Sequence, residues 1–158
     1  MSDAPIPRAT LDFDPATGEI DHDLLSPYLA HGATGLLHLP RFISKIRKHL
    51  KGELPKSYRR NFCKGFDRFL CLHLGVEPEA VIEAVRDARD EADLDARLLA
   101  IFPADVRAAK WNRELVQKGM SEMGREALQD AKNKMGIGDR VDLCSFADMI
   151  EYDEGRIA

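Results

Sequence analysis

Between residues 31 and 45 the chain reads His-Gly-Ala-Thr-Gly-Leu-Leu-His-Leu-Pro-Arg-Phe-Ile-Ser-Lys, with glycines, imidazoles and cations gathered around one helix start. Glycines ahead of a helix N-terminus let backbone N–H groups meet an anion, and the helix dipole favours negative charge at that end. Arg41 and Lys45 lie one turn apart on one face of the helix. Gly32, Gly35, Arg41 and Lys45 therefore read as a site for a small carboxylate or phosphate. His38 and His31 flank the glycines and supply groups that carry protons near neutral pH. The plainer reading is a turn followed by a helix whose cations face water. No Gly-Lys-Ser/Thr follows the glycines, so this is not a Walker loop. The Gly32-x-x-Gly35 spacing is also that of an RNA-binding backbone clamp, but that module needs flanking strands that the pattern does not supply.

Trp111 and Asn112 offer an indole face and an amide that both donates and accepts, which suits the wall of a polar pocket. Neighbours on a helix do not share a face, so one of the two packs while the other points to the pocket or caps nearby backbone. Asp67, beside Arg68, either adds a carboxylate to this pocket or opens a helix. Cys63, Cys71, His73 and Cys144 have the donor atoms zinc takes, but Cys71 and His73 face different ways on a helix and no Cys-x-x-Cys pair exists. The segment Asp12 to Asp23 resembles a calcium loop only loosely, because its glycine is one residue late and Pro15 intrudes. No metal is expected. No nucleophile elbow, kinase set or dinucleotide fingerprint is present, so no cofactor is expected and no reaction is named.

The elements that position these residues follow from apolar spacing. Pro40 suits a first helical position, and Leu39, Phe42, Ile43, Ile46 and Leu50 recur at helical spacing until Gly52. The other face of that helix carries Arg41, Lys45 and Lys48. A second helix spans about Lys64 to Leu74, burying Phe66, Phe69 and Leu70 and ending at Gly75. A third starts at Pro78 and presents Val81, Ile82 and Val85. Asp93 is the expected N-cap of a fourth that uses Leu94, Leu98, Leu99 and Phe102. Pro103 opens a fifth, to about Lys118, with Val106, Ala109 and Leu115 inside. Ser121 caps a sixth, built on Met123, Ala127, Leu128, Ala131 and Met135, and Asp142 to Tyr152 forms a seventh around Phe146, Met149 and Ile150. No window alternates β-branched residues. The expectation is an all-α, compact single domain of about six to seven short helices over 26–158. An irregular N-terminal arm covers 1–25, where Asp14-Pro15-Ala16-Thr17-Gly18 turns between extended pieces at Leu11–Phe13 and Glu19–Ile20.

At 158 residues, 44% hydrophobic and 32% charged, the chain has the composition of one globular domain, which excludes disorder and fibrous classes. No apolar run is long enough to span a bilayer, and no basic region leads an apolar run at the N-terminus, so no membrane partner and a cytoplasmic location are expected. Three cysteines then read as reduced thiols.

The net charge of −4 hides a segregation: residues 41–68 hold ten cations against two anions, leaving the remainder strongly acidic. Tyr58, Phe62 and Phe66 interleave with Arg59, Arg60 and Lys64, a pattern compatible with base stacking beside phosphate contacts or with an acidic protein partner. The pI of about 5.7 makes nucleic acid the less favoured partner. Alternatively the basic strip pairs with the acidic stretch Glu79 to Asp95, within one domain or across a homodimer, with no ligand at all.

From Gly32 through Leu39-Pro40-Arg41 to Lys45, Arg47, Leu50 and Gly52, then Asp67, Leu74-Gly75-Val76, Trp111-Asn112 and Asp153-Glu154-Gly155-Arg156, the chain resembles a bacterial family catalogued only as a domain of unknown function, number fifty sixty-nine. Its members look like Gly-Gly-x-x-x-Leu-Pro-Arg at the head of a Lys- and Arg-bearing helix. The resemblance implies a compact, mostly helical cytoplasmic protein and no established activity. Thr34 between the glycines and the extra cations Lys56, Arg59 and Arg60 depart from that pattern. Because the glycine turn, the Pro-started helix and the resemblance coincide, a small anion at the Gly32–Lys45 junction is the first expectation, whether the protein is an enzyme or a binder.

Overall fold

The computed structural model describes residues 20–158; the turn at 14–18, the extended piece Leu11–Phe13 and most of the calcium-like loop lie outside them. Among the described residues there are eight helices and no strands, an all-helical architecture with one helix more than the six to seven that the spacing predicts. In order they are α1 (Leu39–Leu50), α2 (Lys56–Arg59), α3 (Phe66–Leu74), α4 (Pro78–Asp87), α5 (Glu91–Ile101), α6 (Ala108–Gln117), α7 (Glu122–Lys134) and α8 (Phe146–Asp153). The additional element is α2, a single turn after Pro55 that buries none of its residues and so leaves no apolar period to read.

Helix α1 buries Leu39, Phe42, Ile43 and Ile46 against α3 and α4. It also buries Arg41 and Lys45, at 2% and 0% exposure, where the sequence pattern points them to water. Leu50, Leu99, Met123 and Ala109, expected inside, are exposed. Apart from α2, the remaining helices join one core that includes Phe66, Leu70, Leu98, Trp111, Leu115, Leu128, Phe146 and Met149.

Three helix starts are displaced from expectation, two by side-chain caps and one by a pinned loop. Asp90, not Asp93, caps α5: its carboxylate accepts the Asp93 N–H at 2.8 Å, while the Asp93 carboxylate takes the Arg89 N–H and the Arg97 guanidinium. Helix α6 starts at Ala108, because residues before it are pinned to the end of α3: His73 Nε2 donates to the Val106 carbonyl at 2.8 Å and Arg107 donates to the His73 carbonyl at 2.7 Å. Helix α8 starts after Ser145, whose hydroxyl accepts the Asp148 N–H.

Ahead of α1 the chain folds back on itself. An isolated bridge joins Ala30 to Leu37, and the His31 N–H donates to the Leu36 carbonyl at 2.9 Å. Gly35 closes the loop at φ +74°, a conformation side chains rarely adopt.

Candidate functional site

The loop at 31–38 is held from α6. Asn112 accepts the Leu37 N–H at 2.9 Å and donates to the Gly35 carbonyl at 2.9 Å, while the Trp111 indole N–H donates to the Leu37 carbonyl at 2.8 Å. Trp111 packs in the core and Asn112 caps backbone, so adjacent residues of one helix hold the N–H and the carbonyl of Leu37. Three N–H groups of the glycine turn are engaged inside the protein: Gly35 donates to the His31 carbonyl, Leu36 to the Thr34 hydroxyl and Leu37 to Asn112. Gly32 itself is exposed. Asn112→Ala is expected to lower stability by about 1–3 kcal/mol, the penalty of leaving a buried backbone group without its partner; urea unfolding reads it, and Asn112→Asp, which keeps the acceptor for Leu37, is expected to lose less.

His38 is the N-cap of α1 and is left-handed, at φ 72°. A non-glycine residue there stores roughly 1–3 kcal/mol of strain and persists only where its surroundings over-determine it. The surroundings do so. The side chain is fully buried, Phe66 meets its ring edge-on at 5.5 Å, and its Nε2–H donates to Asp67 Oδ1 at 2.7 Å. Asp67 Oδ2 accepts from Lys45 Nζ at 2.9 Å and from the Cys63 N–H at 3.0 Å. Lys45 and Asp67 are both at 0% exposure. Imidazole, carboxylate and ammonium thus form one sealed polar centre between α1 and α3.

Arg41, one turn before Lys45, belongs to a second buried pair. Its guanidinium grips Glu154 two-handed, Nη1 to Oε1 and Nη2 to Oε2, each at 2.8 Å, and Nη1 also donates to the Leu25 carbonyl. Glu154 takes the Tyr58 hydroxyl at 3.0 Å and Arg156 at 2.9 Å as well. The Tyr58 oxygen in turn accepts the Asp21 N–H.

The protonation states follow. Burial pushes His38 down to about 4, and the charges of Lys45 and Arg41 push the same way against the hydrogen bond to Asp67, so the imidazole is neutral at pH 7. Burial alone would raise the Asp67 carboxyl; the Lys45 ammonium and the His38 hydrogen bond outweigh it and hold Asp67 below the usual range. Glu154 is likewise held low, its burial outweighed by Arg41 and then Arg156 and Tyr58. With Nε2 carrying the proton toward Asp67, His38 Nδ1 presents a lone pair. That atom is buried and makes no hydrogen bond. A buried acceptor left without a donor is uncommon and calls for an explanation.

Of the residues the sequence singles out, His38, Arg41, Lys45 and Asp67 converge at the start of α1, and Trp111 and Asn112 hold the loop that covers it. Glu154, Tyr58, Asp21 and Arg156 complete the network and carry no local signal, since Glu154 meets Arg41 across 113 positions. The cations of α1 are paired within the chain: Arg47 with Glu91, and Lys48 with Asp21 and Asp23, besides the two buried pairs. Of these partners only Glu91 comes from the acidic stretch at 79–95. Among the described residues no three His, Cys, Asp or Glu side chains are grouped to hold a metal ion, and no helix is long and apolar enough to cross a membrane.

A family model described as a domain of unknown function, DUF5069, matches residues 21–156. The chain belongs to this family. The DUF5069 match spans every helix described above, together with both buried charge pairs. No curated protein and no solved structure matches the chain.

Proposed function

We propose that the junction of the 31–38 loop and α1 binds a small carboxylate or phosphate, and that the anion is taken up together with a proton on His38. The observation that supports this is His38 Nδ1, a buried acceptor with no donor beside a cluster whose other charges balance. Arg41 and Lys45 already face Glu154 and Asp67, and Arg156, which also reaches Glu154, is balanced by Glu151. An added anion therefore brings surplus negative charge into a buried site, and protonation of Nδ1 offsets it, giving an imidazolium that donates to the ligand and, through Nε2, to Asp67. Gly32, Gly35, Trp111 and Asn112 act as the cover and its attachment, and access requires the loop to part from Asn112.

A thermal-shift screen of inorganic phosphate, simple carboxylates and phosphate esters finds the ligand, because binding to the native state raises its apparent stability. Titration calorimetry of a hit in buffers of different ionisation heat is then expected to show uptake of about one proton per anion at neutral pH, since free His38 is unprotonated there. His38→Asn, which tolerates the left-handed backbone, is expected to abolish both binding and uptake. Binding with no proton uptake, or undiminished binding by His38→Asn, overturns the proposal, as does the absence of any stabilising anion.

A further inference from the structure

The structure divides the basic segment into two sets with different fates. The cations on α1 face partners inside the chain, as described above. Those that follow lie at the surface: Lys51, Lys56, Arg59, Arg60, Lys64 and Arg68 are all exposed, Arg59 with its Nε donating to the Leu54 carbonyl at 2.9 Å. Lys51, Lys56, Arg59, Lys64 and Arg68 have no carboxylate within ion-pair distance among the described residues. Over the same stretch only Glu53 offers an exposed negative charge, because Asp67 is sealed in the core. A solvent-facing run of this kind sets a positive potential over its own neighbourhood. Salt screens charges beyond about 10 Å, which weakens the opposing field of the more distant acidic residues.

The same stretch carries an aromatic platform. His49, exposed at the end of α1, stacks on the half-buried ring of Phe62, with centroids 4.5 Å apart and planes 29° from parallel. The pair sits between Lys48 and Lys51 on one side and Arg59, Arg60 and Lys64 on the other in the chain. Cations flanking a stacked ring are the two components by which proteins hold an unpaired strand, phosphates on the first and a base on the second. We infer that residues 49–68 form a binding surface for single-stranded nucleic acid. A duplex buries its base faces and offers nothing to the ring pair, and an acidic protein or an anionic membrane uses the cations alone. The low overall pI argues against nucleic acid only while the ten cations are counted together; their division into internal and outward sets removes that objection.

The test uses the full chain and a fluorescent oligo-dT or oligo-U of about twenty nucleotides, longer than one small domain covers, followed by anisotropy across a salt series. Binding at low ionic strength is expected, with log K falling against log salt at about −0.7 per phosphate contacted. The triple variant Lys56→Glu, Arg59→Glu, Lys64→Glu is expected to weaken binding at least tenfold and flatten that slope. His49→Ala is expected to weaken it severalfold with the slope unchanged. Circular dichroism and thermal unfolding establish that each variant is folded. No binding of either oligonucleotide at low salt overturns the inference. So does equal binding to polyglutamate, to phosphatidylserine vesicles or to duplex with no effect of His49→Ala, which reassigns the surface to general anionic contact.

Discussion

Asp67→Ala is expected to destabilise the protein by about 3–5 kcal/mol, the range seen when one partner of a buried ion pair is removed. The carboxylate is fully buried and accepts from Lys45, His38 and the Cys63 N–H. Its loss takes the ion-pair carboxylate from the Lys45 ammonium and the acceptor from the buried imidazole N–H and the part-buried Cys63 N–H, and the last two alone carry a desolvation penalty of about 1–3 kcal/mol each. Against a typical total of about 5–15 kcal/mol this is a large fraction, read as a lower denaturant midpoint at unchanged slope. A double variant, Lys45→Met with Asp67→Leu, separates the causes. Replacing both charges by apolar groups removes the orphaned ammonium, so it is expected to recover most of the stability. A loss below 1 kcal/mol in Asp67→Ala would mean that the sealed centre between α1 and α3 is not formed as described.

The second large effect is in the pH dependence. His38 titrates at about 4 in the folded protein against 6.5 unperturbed. Between those values the unfolded chain holds a proton that the folded chain refuses, so stability falls as pH falls through that window. The group's contribution is complete above pH 6.5 and lost by about pH 4, and the shift corresponds to roughly 3 kcal/mol. Asp67 and Glu154, both held below the ordinary carboxylate range, act in the same sense further down: the stability they confer is present above that range and is lost as pH drops through their folded values. Two acid-side losses are therefore expected in unfolding titrations, the His38 step first. His38→Asn is expected to be less stable at pH 7, because Asp67 Oδ1 loses a donor, yet flat between pH 6.5 and 4. An unchanged slope in that variant would assign the step elsewhere. The anion proposed above reverses the sign of the burial effect on His38, so a saturating ligand is expected to shrink the step.

Most helices were legible because their burial follows the helical period: Leu39, Phe42, Ile43 and Ile46 in α1, Gly75 in the left-handed conformation at the end of α3, and Ser121 at the start of α7. Boundaries slipped where a nearby polar group competed. Asp90 outranked Asp93 because it stands three residues before the N–H it caps, and α6 waited for Ala108 because His73 and Arg107 tie the preceding loop to α3. Helix α2 carries no apolar stripe and left no signal.

For the candidate site the sequence alone determined the residue types, since a proline-started helix behind a glycine turn brings His38, Arg41 and Lys45 close together whatever surrounds them. It also determined that Trp111 and Asn112 serve different ends, because neighbours on a helix diverge. Only the tertiary structure decided that Arg41 and Lys45 turn inward. Periodicity assigns a cation to water because burying a charge alone is prohibitive, and that assignment reverses when a carboxylate waits inside. Here Asp67 arrives from α3 and Glu154 from the end of α8, and neither distance in sequence announces the meeting. Tertiary packing likewise left the cations after α1 exposed, while Nδ1 of His38 remained inside without a donor.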